Sequence, residues 1–116
     1  MFRLSWKSVQ DLAENRRTKR RKANSRGLIV NSCLRLPLPV GIDDVSPCGA
    51  RVSVENPNRV PHDFHLVNLN AGIAHEAHVV WRGSTQIGLE FSRSIVLDAT
   101  VPKQLLHLRR IWLASA

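Results

Sequence analysis

From Gly27 to Phe91 the chain is a succession of short apolar runs, each closed by glycine, proline, asparagine or serine. That punctuation restricts it to a β architecture, because an amphipathic helix needs its apolar stripe to continue through ten or more residues without such breaks. Leu28-Ile29-Val30, after Gly27, predicts a first strand. Leu34-Arg35-Leu36 alternates briefly, but Pro37 and Pro39 confine it to a strand entrance or an edge, so the second strand is expected from Val40 to Val45. Ala50 to Glu55 alternates apolar and polar, as a half-buried strand does, and Asn56-Pro57-Asn58 ends it. Phe64, Leu66, Val67 and Leu69 predict the next strand, turned by Asn70-Ala71-Gly72. Glu76–Arg82 and Gln86–Phe91 come next as a pair joined at Gly83-Ser84. Ile87, Leu89 and Phe91 share a face, and Trp81, alternating with Ala77 and Val79, is expected in the core. Six short strands without intervening helices argue for an antiparallel barrel or sandwich.

Both flanks differ from this middle. Thr100 can cap a C-terminal helix with Pro102 in its first turn, where a missing N–H costs nothing. Val101, Leu105, Leu108 and Trp112 form one apolar stripe suited to packing on the sheet, and Arg109 and Arg110 complement the helix dipole near its end. At the other flank, residues 5–14 can form a short helix capped by Ser5 or Ser8, with Trp6, Val9, Leu12 and Ala13 at helical spacing. The expected organisation is a basic arm over 1–26, a β-barrel over 27–92 and a helix over 93–116.

Charge divides the chain in the same place. The formal net charge is +8, of which residues 1–26 carry +7 and the remaining 90 residues +1. A near-neutral body with a basic arm points to a polyanion or a phosphate-bearing small molecule as partner. No apolar run approaches the ~20 residues of a membrane span. Met1 to Lys7 lacks the apolar segment of a secretory signal, so a cytoplasmic protein is expected. Cys33 and Cys48 are then expected as reduced thiols.

The chemistry concentrates in two places. Asn15-Arg16-Arg17-Thr18-Lys19-Arg20-Arg21-Lys22 is the arm's basic run, and Asp44-Val45-Ser46-Pro47-Cys48-Gly49 is a polar corner leaving the second strand. A carboxylate, a hydroxyl two residues on and a glycine three further can face one guest together, the glycine permitting a close approach. The arginine run, the D-x-S-x-x-G corner, Val79-Val80-Trp81-Arg82 and Ile87-Gly88-Leu89-Glu90-Phe91 together resemble, in family order, the PilZ domain family of bacterial cyclic di-GMP receptors. Their signature is R-x-x-x-R followed by [D/N]-x-S-x-x-G. The resemblance covers residues 14–92 and implies a six-stranded antiparallel β-barrel with a C-terminal helix. It also implies cyclic di-GMP as ligand, a downstream protein partner, and a binding set of Arg16, Arg20, Asp44, Ser46 and Gly49. Arg17 and Arg21 form a second register of the arginine motif.

That ligand suits these side chains. Guanidinium clamps phosphate bidentately and matches the O6/N7 edge of guanine. Two arginines four apart in an extended arm stand about 13 Å apart, enough to address different parts of one ligand. An aspartate can accept from guanine N1–H and N2–H. The competing reading is a β-barrel that binds RNA or DNA through its arm, or a PilZ-like module that contacts only protein. His62-x-x-His65 and His75-x-x-His78 invite a zinc reading, but residues three apart on a strand point to opposite faces and no cysteine pair has ligand spacing, so no metal is expected. No acid pair, nucleophile–base set or phosphate loop can be drawn, which favours a receptor without catalytic residues or cofactor over an enzyme.

Overall fold

The structure, a computed structural model, describes residues 21–98 and 100–115. Six strands close into a barrel: β1 (Arg21–Val30), β2 (Leu38–Ser46), β3 (Gly49–Ser53), β4 (Asp63–Asn68), β5 (Ile73–Arg82) and β6 (Gln86–Val96). Every neighbouring pair is antiparallel, in the spatial order β1-β2-β3-β6-β5-β4. Closure leaves no unpaired edge, which is how a small all-β chain satisfies its backbone without a covering layer. A 3-10 turn (Pro57–Arg59) links β3 to β4; a second (Lys103–Leu105) leads into the helix α1 (Leu106–Ser115).

Two apolar clusters account for the patterning. Inside the barrel, Ile29, Ile42, Val52, Phe64, Leu66, Val79, Ile87 and Leu89 are buried together. Outside it, Leu28, Val67, Leu69, Ala74, Leu97, Val101 and Leu108 form a second core, with Leu105, Ile111 and Trp112 packed against it. The stripe predicted for the C-terminal helix therefore covers one outer face of the barrel. Neighbours such as Leu28 and Ile29, or Leu66 and Val67, are buried on opposite faces of one strand, which is why those runs are continuously apolar rather than alternating.

Several boundaries differ from the sequence expectation. β1 starts at Arg21, inside the stretch assigned to the arm, because its first residues pair with β2. β2 begins at Leu38 and carries Pro39 within the strand. β6 runs on to Val96, past the barrel limit of 92, since β5 begins at Ile73 and offers it a longer partner. Thr100 does not cap the helix: Pro102 occupies the cap position of the 3-10 turn, and α1 starts only at Leu106. The helix expected over residues 5–14 lies outside the described residues, as do Arg16, Arg17 and Arg20. Among the described residues no helix is long and apolar enough to cross a membrane.

Candidate functional site

The D-x-S-x-x-G corner is the β2–β3 hairpin, and its three named residues do different things. Ser46 pairs with Gly49 across the turn; its hydroxyl accepts from the Cys48 N–H at 3.3 Å and donates to the Gly49 carbonyl at 3.4 Å. Gly49 pairs with Glu90 of β6, where a methyl group would lie 2.1 Å from the Leu89 carbonyl oxygen. Ser46 thus closes the hairpin and Gly49 lets β3 approach β6; the close approach expected of the glycine is to a neighbouring strand.

Asp44 is placed by two irregularities. Between Ile42 and Asp44 the pairing with β3 gains one residue, Asp43, and between Lys22 and Ser25 the pairing of β1 with β2 shifts as well. Asn24, in that second bulge, has φ 47°, a left-handed conformation that asparagine tolerates better than most side chains. The extra residue turns Asp43 and Asp44 to the outer surface together, while Ile42 and Val45 pack on the barrel core. Asp43 Oδ2 then accepts from the Ser53 hydroxyl and from Gln86 Nε2, the latter at 2.8 Å. Asp44 is buried, with Arg51 Nη2 at 2.7 Å from its Oδ2.

The register sets the rest of the site. Lys22 pairs with Asp44, Asp44 with Arg51, Arg51 with Gly88 and Gly88 with Trp81, a single row across five strands. Arg21 pairs with Val45, so the strand at the end of the basic run is joined by its backbone to the motif strand. At the far end of the row Trp81 is exposed, which corrects the core assignment. The pairing of β5 with β6 shifts between Val79 and Trp81, and the extra residue, Val80, moves Trp81 from the inner to the outer face. Its indole lies across Gly88, where a methyl group would stand 2.0 Å from Nε1. Arg82 is turned away, its Nη1 donating to the carbonyls of Pro57 and Val60.

Of the predicted residues, then, the structure joins Asp44, Ser46, Gly49 and the backbone of Arg21. Arg51 and Trp81 complete the row and were not in the predicted set. The signal for them was present, since Arg51 lies two residues past the motif glycine and Trp81 opposite Gly88, but it needs the register to be read.

The histidines occupy other surfaces. His75 faces inward opposite Leu66, stacked on Phe91 with ring centroids 3.9 Å apart and Nδ1 2.7 Å from the Ser94 hydroxyl. Burial lowers its pKa to about 4. His78 pairs with exposed Asp63 instead, meets Glu90 at 3.0 Å and stacks on His62, so the two members of this H-x-x-H do point apart. His65 lines a cleft of about 710 Å³ with Glu76, His78 and His107, and its pKa is lowered, chiefly by burial. Among the described residues, no group of three or more His, Cys, Asp or Glu side chains is disposed to hold a metal ion.

Compared with protein-family models, curated proteins and solved structures, the chain gives no match.

Proposed function

We propose that this chain is a PilZ-type receptor for cyclic di-GMP, acting in the cytoplasm as a binding module that passes ligand occupancy to a downstream protein. The observation that carries the reading is the pairing of Arg21 with Val45 and of Lys22 with Asp44. It puts the end of the basic run, more than twenty residues earlier in the sequence, beside the D-x-S-x-x-G corner. In this reading Arg16 and Arg20, or Arg17 and Arg21, clamp the phosphodiesters. Asp44 with Arg51, and the exposed face of Trp81, provide the polar and flat surfaces a guanine requires. A carboxylate at the exit of a phosphate-seeking arm suits a ligand with base edges to recognise; a polyanion held by charge alone has no use for it.

Calorimetric titration with cyclic di-GMP, with GTP and an RNA oligomer as controls, tests the proposal. The wild type should bind cyclic di-GMP, and Arg16→Ala or Arg20→Ala should abolish the heat without moving the melting temperature. Asp44→Ala should weaken binding about tenfold or more, the loss expected when a charged hydrogen-bonding group is removed. If cyclic di-GMP gives no heat at any salt, while RNA binds with the steep salt dependence of several neutralised phosphates, the receptor reading is wrong.

A further inference from the structure

Resting on that reading, we infer that Arg51 is the barrel residue that reads the ligand's guanine, through its O6/N7 edge, and that Asp44 acts as its positioning residue. The Asp44 side chain is 9% exposed, whereas that of Arg51 is 39% exposed. The group presented on the outer face is therefore the guanidinium, with the carboxylate behind it. Among the described residues, the only ion pair or hydrogen bond of the Arg51 side chain is the one at 2.7 Å to Asp44 Oδ2. The Arg51 Nε–H is buried, so the donors left for another acceptor are the remaining N–H groups of the two Nη atoms.

Charge selects which acceptor. A carboxylate 2.7 Å from the guanidinium disfavours a second anion beside it, while the remaining donors stay directional. That suits a neutral, planar acceptor edge, and the O6/N7 edge of guanine fits a guanidinium fork bidentately. Adenine offers an amino donor at the corresponding position and would meet Arg51 donor to donor. Position agrees with chemistry: Arg51 pairs with Gly88, across which the exposed Trp81 indole lies, so the fork and a flat aromatic surface belong to one row of neighbouring strands.

The test pairs a change in the protein with a change in the ligand. Titrate wild type, Arg51→Met and Arg51→Lys with cyclic di-GMP, with its 7-deaza analogue, which lacks the N7 acceptor, and with cyclic di-AMP, checking each variant's folding by its thermal transition. The wild type should favour cyclic di-GMP over the other two by roughly tenfold to a hundredfold, the range of one bidentate base contact. In Arg51→Met that preference should collapse to within a few-fold, and Arg51→Lys, with a charge but no fork, should restore little of it. A merely structural Arg51 would lower all three affinities together and leave their ratios unchanged, which would overturn the assignment while leaving the receptor reading intact. Absence of cyclic di-GMP binding by the wild type would end both. Should Arg51→Met not fold, Arg51→Lys carries the same ratios: a wild-type preference retained there also overturns the assignment.

Discussion

The barrel has two outer faces of opposite character. Over β1, β4 and β5 lies the helix, and there Leu28, Val67, Ala74 and Leu108 are as buried as the interior. Over β2, β3 and β6 the outer side chains are polar: Asp43 is bonded to Ser53 and Gln86, and Asp44 to Arg51. Each face has a tryptophan set on a glycine, Trp112 against Gly72 and Trp81 against Gly88. Trp112 is half-buried and donates its Nε1–H to the Leu69 carbonyl at 3.2 Å, as a structural tryptophan does. Trp81 is 46% exposed. The pairings of β1 with β4, β4 with β5 and β3 with β6 are unbroken, while bulges interrupt β1 with β2, β2 with β3, and β5 with β6 both between Glu76 and Ala77 and between Val79 and Trp81. One face holds the fold together. On the other, the bulges at Asp43 and Val80 re-aim Asp44 and Trp81.

The largest effect should come from breaking the covered face. Leu108 is fully buried between helix and barrel. Leu108→Ala removes that packing and leaves a cavity, costing about 3 kcal/mol and lowering the melting temperature by about 10 °C. Affinity for cyclic di-GMP at a temperature where the variant remains folded should be unchanged. A stable variant with lost affinity would mean that the two faces do not divide their work as described.

Acid should act next, through the interior between the faces. His75 has its pKa lowered from 6.5 to about 4 by burial, so between those values the unfolded chain binds more protons than the folded one. Stability from this residue is full above pH 6.5, falls as the pH is lowered towards 4, and is then lost no further, a total of at most about 3 kcal/mol. His65, shifted in the same direction, adds to the slope. Denaturant titrations at pH 7 and pH 4.5 should show the loss, and His75→Leu should flatten it. An unchanged slope in that variant would place the acid sensitivity in the carboxylates instead.

How much of the molecule the sequence discloses depends on what a local pattern can encode. Alternation and turn chemistry disclose the strands and, through Leu105, Leu108 and Trp112, the covered face, because burial leaves a periodic trace. The Asp44–Gly49 corner is legible as a motif, whereas its pairing with the end of the basic run appears only in the register of β1 with β2. A bulge, by contrast, leaves no trace in alternation. One extra residue at Asp43 and one at Val80 reverse the phase of the residues after them, and they alone bring Asp44 outward to Arg51 and move Trp81 out of the core. Gly49 escaped for another reason: its constraint, the Leu89 carbonyl, is forty residues away in sequence and appears only when β3 and β6 pair.

The smallest stability effect, and the one that most sharpens the contrast between the faces, belongs to Trp81. Its indole packs on Gly88 from outside and is half open to solvent, so Trp81→Ala removes little area from the fold and should cost less than about 1 kcal/mol. A base stacked on an aromatic side chain is stabilised by about 1–3 kcal/mol, so the same substitution should lower affinity for cyclic di-GMP roughly tenfold or more. Thermal unfolding and calorimetry on one variant then give opposite orders for the two tryptophans: Trp112→Ala should harm stability more than binding, Trp81→Ala binding more than stability. A Trp81→Ala protein that melts far below the wild type yet binds normally would make the open face a second structural layer, and the proposed guanine contact would then be confined to the Asp44 side of the row.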